Sequence, residues 1–278
     1  MSFHAFFDLL SVGRPLLGSW CGFSSFASVE AMAALEFDFL VLDTQHSEIA
    51  LSHFPALFGA FSQSPTVPIV RAPRNDYHAV NWLYDQGAPA VLVPMVNSPE
   101  DARLAVEAAK FPPTGRRSFG PQRAGRYGAA IPTYMQNADS QTTLIVQIEH
   151  HQAVARIQET LSIPGIDAIF MGPNDLALSL LPPGAKPFDA ATANAGWAAM
   201  FRSQQVNDLC RETLDACKRA GKPFGTTSGC MEEAKEWLEA GAAFVTIGNE
   251  FLFLRAGVQA MCGSMERTWN ASKEKTRS

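Results

Sequence analysis

Basic charge is in short supply: 22 lysines and arginines against 27 acidic residues leave a formal charge of −5 over 278 residues. No net basic field exists to hold nucleic acid or an anionic membrane surface. Long apolar runs are missing too. No stretch approaches the roughly 18 to 20 apolar residues of a membrane span, and the opening MSFHAFFDLLSVGRP has neither the basic start nor the small-residue cleavage site of a secretory signal. Cysteine is scarce and badly spaced for a disulfide framework or a zinc site. The five residues, Cys21, Cys210, Cys217, Cys230 and Cys262, are an odd number with no C-x-x-C pair. These absences point to a cytoplasmic protein with reduced, mostly buried thiols, and to a small molecule as its partner rather than nucleic acid or membrane.

What is present is core material. Hydrophobic residues make up 47% of the chain and charged residues 18%, far from the composition of a disordered segment. The length exceeds that of an average domain, but a (β/α)₈ barrel runs to about 250 residues as one unit. One domain over residues 1–265 is therefore expected, followed by a polar tail, 266–278. Eight β-rich apolar runs recur at 16–20, 39–43, 67–71, 90–94, 143–149, 168–172, 224–227 and 244–248. Stretches of helical periodicity, such as 99–110, 152–160, 207–220 and 231–240, lie between them. Strand alternating with helix implies parallel pairing, and continuously apolar strands imply a sheet covered on both faces. Ala220-Gly221 and Ala240-Gly241 put glycine where a helix should stop. The expected fold is a single (β/α)₈ TIM barrel. Two segments depart from the repeat. Residues 111–142, rich in glycine and arginine, are too long for an ordinary loop and are expected to serve an active site. Residues 179–206, rich in proline and alanine, are expected to frame its entrance.

Chemistry in such a barrel gathers at the C-terminal ends of the strands. Strand two ends in Asp43-Thr44-Gln45-His46, strand three in Arg71, strand five in Gln147-Ile148-Glu149, and strand six leads into Gly172-Pro173-Asn174-Asp175. Glu149 and Asp175 are hard oxygen donors from adjacent strand ends, a pair suited to Mg²⁺, Mn²⁺ or a similar ion; the bland alternative makes Asp175 a helix cap. His46 is a candidate base whose imidazole Asp43 could orient. Arg71 could hold a carboxylate and a developing enolate oxygen, or simply pair with a barrel acid. No lysine falls at an expected strand end, which leaves no Schiff-base nucleophile.

Taken in order, LVLDTQHSEI, VRAP, LYDQGAPAVLVPMVNSPEDA, FPPTGRRSFGP, RAGRYG, VQIEH, GIDAIFMGPNDLALSL and GAAFVTIGNE resemble the HpcH/HpaI aldolase/citrate lyase family, and within it the metal-dependent, pyruvate-forming aldolases. The resemblance spans roughly residues 14–257. It implies Glu149 and Asp175 as ligands of a divalent Mg²⁺, Mn²⁺ or Co²⁺ ion, His46 as the base, and Arg71 as the enolate stabiliser. Gln147 and Asn174 match keto-acid contacts, Asn174 through its backbone, and Asp85 matches an acid that raises the basicity of the histidine; the residues alone favour Asp43 for that task. Gln45 stands where the family commonly has glutamate, and Asn249 where aspartate is commoner. The resemblance further implies aldol cleavage of a 4-hydroxy-2-keto acid to pyruvate and an aldehyde, and a homo-oligomer, a hexamer or trimer of dimers, with C-terminal helices exchanged between subunits. Oxaloacetate decarboxylation needs the same enolate stabilisation. A citryl- or malyl-CoA lyase would need a basic groove, for which Arg116, Arg117, Arg123 and Arg126 are the candidates. A barrel kept only for binding is the non-enzymatic alternative.

Overall fold

The computed structural model describes residues 6–182, 184 and 202–275, with side chains described as far as Gly263. Eight strands form a closed, all-parallel barrel in sequence order: β1 (Leu16–Cys21), β2 (Phe39–Asp43), β3 (Val67–Arg71), β4 (Ala90–Val93), β5 (Thr143–Ile148), β6 (Ala168–Met171), β7 (Phe224–Ser228) and β8 (Phe244–Asn249), with β8 returning to β1. Each run read from the sequence forms a strand, with ends shifted by a residue at most. The expected single (β/α)₈ barrel is the fold.

Alternation within each strand divides the core in two. One parity (Leu16, Phe39 and Val41, Val67 and Ile69, Ile145, Phe170, Phe244) points into the barrel. The helix Phe6–Ser11 delivers the fully buried Phe6 to this inner core, where its ring meets those of Phe39 and Phe244 edge-on, with centroids 5.4 Å away in each case. Each such buried ring contributes about 1.5–3 kcal/mol by removal from water. The other parity (Leu40, Leu42, Val70, Val91, Val146, Ile169) packs outward against the helices. Because both faces are covered, the strands read as unbroken apolar runs.

The helices start and stop where short polar residues and glycine dictate. Asp76 accepts from the Ala79 N–H at 2.9 Å to open the helix Tyr77–Asp85, and Ser98 accepts from the Asp101 N–H at 3.1 Å to open Pro99–Ala109. Gly221, at φ +64°, ends the helix Gln204–Ala220 in the left-handed conformation. The last helix, Glu250–Lys275, runs through most of the segment expected to be a polar tail. All five cysteines are free; Cys21, Cys210 and Cys217 are buried, and Cys230 and Cys262 are exposed. Among the described residues no helix is long and apolar enough to cross a membrane.

Residues 111–142 are a correction to the sequence reading. They follow the helix Pro99–Ala109, which has already returned the chain to the N-terminal end of the barrel, so they pack there and not at the mouth. Lys110 pairs with Asp167, just before β6, at 2.8 Å, and Arg117 pairs with Asp85, ahead of β4, at 2.7 Å. The helix Ile131–Gln141 then leads into β5. Of the segment 179–206, residues 183 and 185–201 lie outside the described residues.

Candidate active site

The inward parity that builds the lower core continues upward, and at the C-terminal ends of the strands it turns polar. Trp20, Asp43, Arg71 and Gln147 follow in that parity on β1, β2, β3 and β5, with Glu149 one step beyond. Asp43 and Arg71 face each other in the β2–β3 register. Arg71 Nε donates to Asp43 Oδ1 at 2.8 Å and Nη2 to Oδ2 at 2.6 Å. A guanidinium has five N–H donors, so this fork leaves Nη1 outside it. Below, the guanidinium carbon lies 4.4 Å from the centroid of the Trp20 ring, and the indole N–H donates to Thr246 Oγ1 at 2.8 Å. Burial would raise the Asp43 carboxyl, but Arg71 and the N–H groups of Gln45 and His46 outweigh it and hold the group below its ordinary range.

Glu149 is 2% exposed. Its Oε1 accepts from the Met95 backbone N–H at 2.5 Å, and its Oε2 accepts from Gln147 Nε2. Burial, countered in part by the Met95 N–H and reinforced by the charge of Asp175, pushes its carboxyl up to about 7. Asp175 lies in the first turn of the helix Pro173–Ser179, where a negative side chain is favoured. The cap position belongs to Gly172, which has no side-chain bond to give, so Asp175 is not consumed in capping. Asn174 is exposed beside it, in a turn whose first N–H groups have no intrahelical acceptor. A Cβ at Gly172 would stand 2.7 Å from Glu149 Oε2 and 3.0 Å from Gln147 Nε2, so a side chain there would displace the pair.

Among the described residues no group of three or more His, Cys, Asp or Glu side chains forms a metal cage. The pair Glu149 and Asp175 is instead an open, two-carboxylate donor set. Oxygen-preferring ions such as Mg²⁺ are held in this way by one or two carboxylates, with water and substrate oxygens completing the shell. Gln147 Oε1 is buried without a hydrogen-bond partner beside them, a further oxygen open to a ligand. The donors present therefore fit a divalent cation. Lys110, the one buried lysine among the described residues, lies at the other end of the barrel on Asp167.

The structure thus brings Arg71, Gln147, Glu149, Asn174 and Asp175 to one mouth. His46 follows β2 there and is exposed. Asp43 does not orient its imidazole as the residues had suggested; it accepts from the backbone N–H of His46 at 3.3 Å and spends its charge on Arg71. Asp85 does not join the group within one chain. It ends the helix that precedes β4, at the opposite end of the barrel, where Arg117 and Asn81 hold its carboxylate. Two contributors escaped the sequence reading. Trp20 was legible in principle, since 16, 18 and 20 share the inward parity of β1. Met95 acts through its backbone, which leaves no mark in residue type.

The sequence matches the profile of the HpcH/HpaI aldolase/citrate lyase family over residues 16–255. A 4-hydroxy-2-oxo-heptane-1,7-dioate aldolase of Klebsiella pneumoniae is 33% identical over 93% of this chain and 92% of its own length. Among solved structures, an HpcH/HpaI aldolase/citrate lyase family protein from Burkholderia cenocepacia superposes with a TM-score of 0.83 at 28% identity, covering 94% of this chain and 99% of that one. An HpcH/HpaI aldolase from Desulfitobacterium hafniense shares the fold, with a TM-score of 0.79 at 23% identity over 93% and 95% of the two chains. With barrel, strand-end carboxylates and near full-length likeness in agreement, the chain belongs to the HpcH/HpaI aldolase/citrate lyase family.

Proposed function

We propose that the protein is a divalent-metal-dependent aldolase that cleaves a 4-hydroxy-2-keto acid to pyruvate and an aldehyde, reversibly, through an enolate. The observation that carries this reading is the buried Glu149 set against Asp175 beside the Arg71–Asp43 fork. Glu149 and Asp175 would hold Mg²⁺, Mn²⁺ or Co²⁺, and the ion supplies Lewis-acid polarisation of the keto group. Arg71, set over the Trp20 ring and gripped by Asp43, keeps its remaining N–H donors for the substrate carboxylate and the developing enolate oxygen. Gln147 and the backbone of Asn174 orient the keto acid. His46, exposed at the rim, takes the proton from the 4-hydroxyl in cleavage and returns it in condensation. Because Asp85 lies at the far end of the barrel, a part for it in raising the basicity of His46 requires a second copy of the chain.

Two of the four arginines that a CoA groove would draw on, Arg117 and Arg123, are engaged elsewhere. Arg117 is buried among Tyr84, Phe111 and Tyr134, and Arg123 donates to the Gln86 carbonyl over the ring of Phe58. Both lie at the N-terminal end, away from the mouth. Assembly into a homo-oligomer through the last helix is supported by the exposure of Phe251, Leu252, Leu254, Val258 and Met261 along it. A cytoplasmic location fits the free thiols.

The test is pyruvate release, coupled to lactate dehydrogenase, from a panel of 4-hydroxy-2-keto acids and oxaloacetate with Mg²⁺, Mn²⁺ or Co²⁺. Pyruvate formed with metal and abolished by EDTA is expected. Preference for oxaloacetate over every hydroxy acid would make the protein a decarboxylase, and metal-independent turnover would overturn the site.

A further inference from the structure

Met95 follows β4 and Pro94 with a backbone φ of +55°, a left-handed conformation that non-glycine residues seldom adopt and that tends to mark functional sites. Its side chain is 46% exposed, so packing of the thioether does not explain the conformation. The backbone does. The β4–β5 ladder ends at the pair Val93 and Val146, and Pro94 has no N–H to extend it. The next two N–H groups both turn back to β5: Val96 donates to the Gln147 carbonyl at 3.1 Å, and Met95 donates to Glu149 Oε1 at 2.5 Å. With Gln147 Nε2 on Oε2, both carboxylate oxygens are tied from opposite sides, one by a side chain and one by a backbone group.

We infer that Met95 is a positioning residue of the cation site: its left-handed backbone aims the N–H that fixes the Glu149 carboxylate for the ion, and its side chain is dispensable for that task. The inference rests on the reading of Glu149 as a metal ligand. Hydrogen bonds to a ligand's second oxygen fix its orientation, and losing such a partner commonly weakens binding about 10- to 100-fold.

The test is a substitution series chosen by backbone preference, not by side-chain similarity. Glycine and asparagine accept positive φ, while valine and isoleucine resist it. Mn²⁺ dissociation constants are measured by titration for the wild type, Met95→Gly, Met95→Asn, Met95→Val and Met95→Ile, with thermal melting to confirm that each is folded. The Gly and Asn variants should stay within about twofold of the wild type, and the Val and Ile variants should bind at least about tenfold more weakly. Equal affinity across all folded variants would refute the role of Met95 while leaving the metal site intact. Uniform weakening, Gly and Asn included, would assign the effect to the side chain and refute the backbone mechanism. A wild type that binds no Mn²⁺ would overturn the site reading itself, and this inference with it.

Discussion

Asp43 and Arg71, cross-strand partners on β2 and β3, close a two-bond fork at 2.8 and 2.6 Å. The fork holds the guanidinium over the Trp20 ring, 4.4 Å from its centroid, and the same carboxylate accepts from the N–H groups of Gln45 and His46. One acid thus holds both the candidate anion-binding arginine and the turn that carries the candidate base. Arg71→Lys keeps the charge but cannot make the fork. It should lower kcat by about 10²–10³ while leaving Mn²⁺ affinity within a few-fold. Steady-state kinetics beside a Mn²⁺ titration read the two effects separately, and a variant with near wild-type kcat would remove Arg71 from the chemistry.

Gly172→Ala tests how tightly the carboxylate is seated. The added methyl would meet Glu149 Oε2 at 2.7 Å, and the buried carboxylate has little room to yield. Mn²⁺ affinity should fall about 10-fold or more, with the fold kept as judged by circular dichroism. Unchanged affinity would mean that Glu149 is free to move away, or that it does not hold the ion.

Burial pushes the Glu149 carboxyl up to about 7, against about 4.3 when unfolded. Between these values the folded state holds the extra proton. The stability from this group is therefore full below about pH 4.3 and is lost as the pH rises through 7. A cation needs the ionised form, so Mn²⁺ affinity should drop about tenfold per pH unit below 7 and level off above it. Titrations from pH 5.5 to 8.5 check the slope; a flat profile across 7 would show that Glu149 is not the group displaced.

Much of this was legible in the sequence. The strands declare themselves because both faces of the sheet are covered, and the alternation within each run then fixes which residues reach the mouth: Arg71, Gln147 and Glu149 follow from counting by twos. Asp43 was read as a possible support for His46, and its carboxylate pairs with Arg71 instead. Proximity along the chain favoured His46, whereas register puts Arg71 directly opposite. The long 111–142 segment was assigned to the wrong end, although the helical stretch before it, 99–110, already implied a return to the N-terminal face. Met95 had no signal, because its contribution is a dihedral angle and an N–H.

Arg117 illustrates the part of the 111–142 segment that serves stability. Its guanidinium is fully buried on Asp85 among three aromatic rings. Arg117→Met should destabilise the chain by about 3–5 kcal/mol, because the Asp85 carboxylate is left buried without its partner. Chemical denaturation of the wild type and the variant measures the difference; a loss below about 1 kcal/mol, the level of an exposed pair, would contradict a structural role for the ion pair.

If Glu149 and Asp175 hold the cation, this site should form the pyruvate enolate. Proton NMR of pyruvate in D₂O tests that step without knowledge of the aldehyde. The methyl protons should exchange for deuterium with enzyme and Mg²⁺ or Co²⁺, and EDTA, Glu149→Ala or Asp175→Ala should abolish the exchange. Exchange that persists without metal, or in either variant, would contradict that assignment.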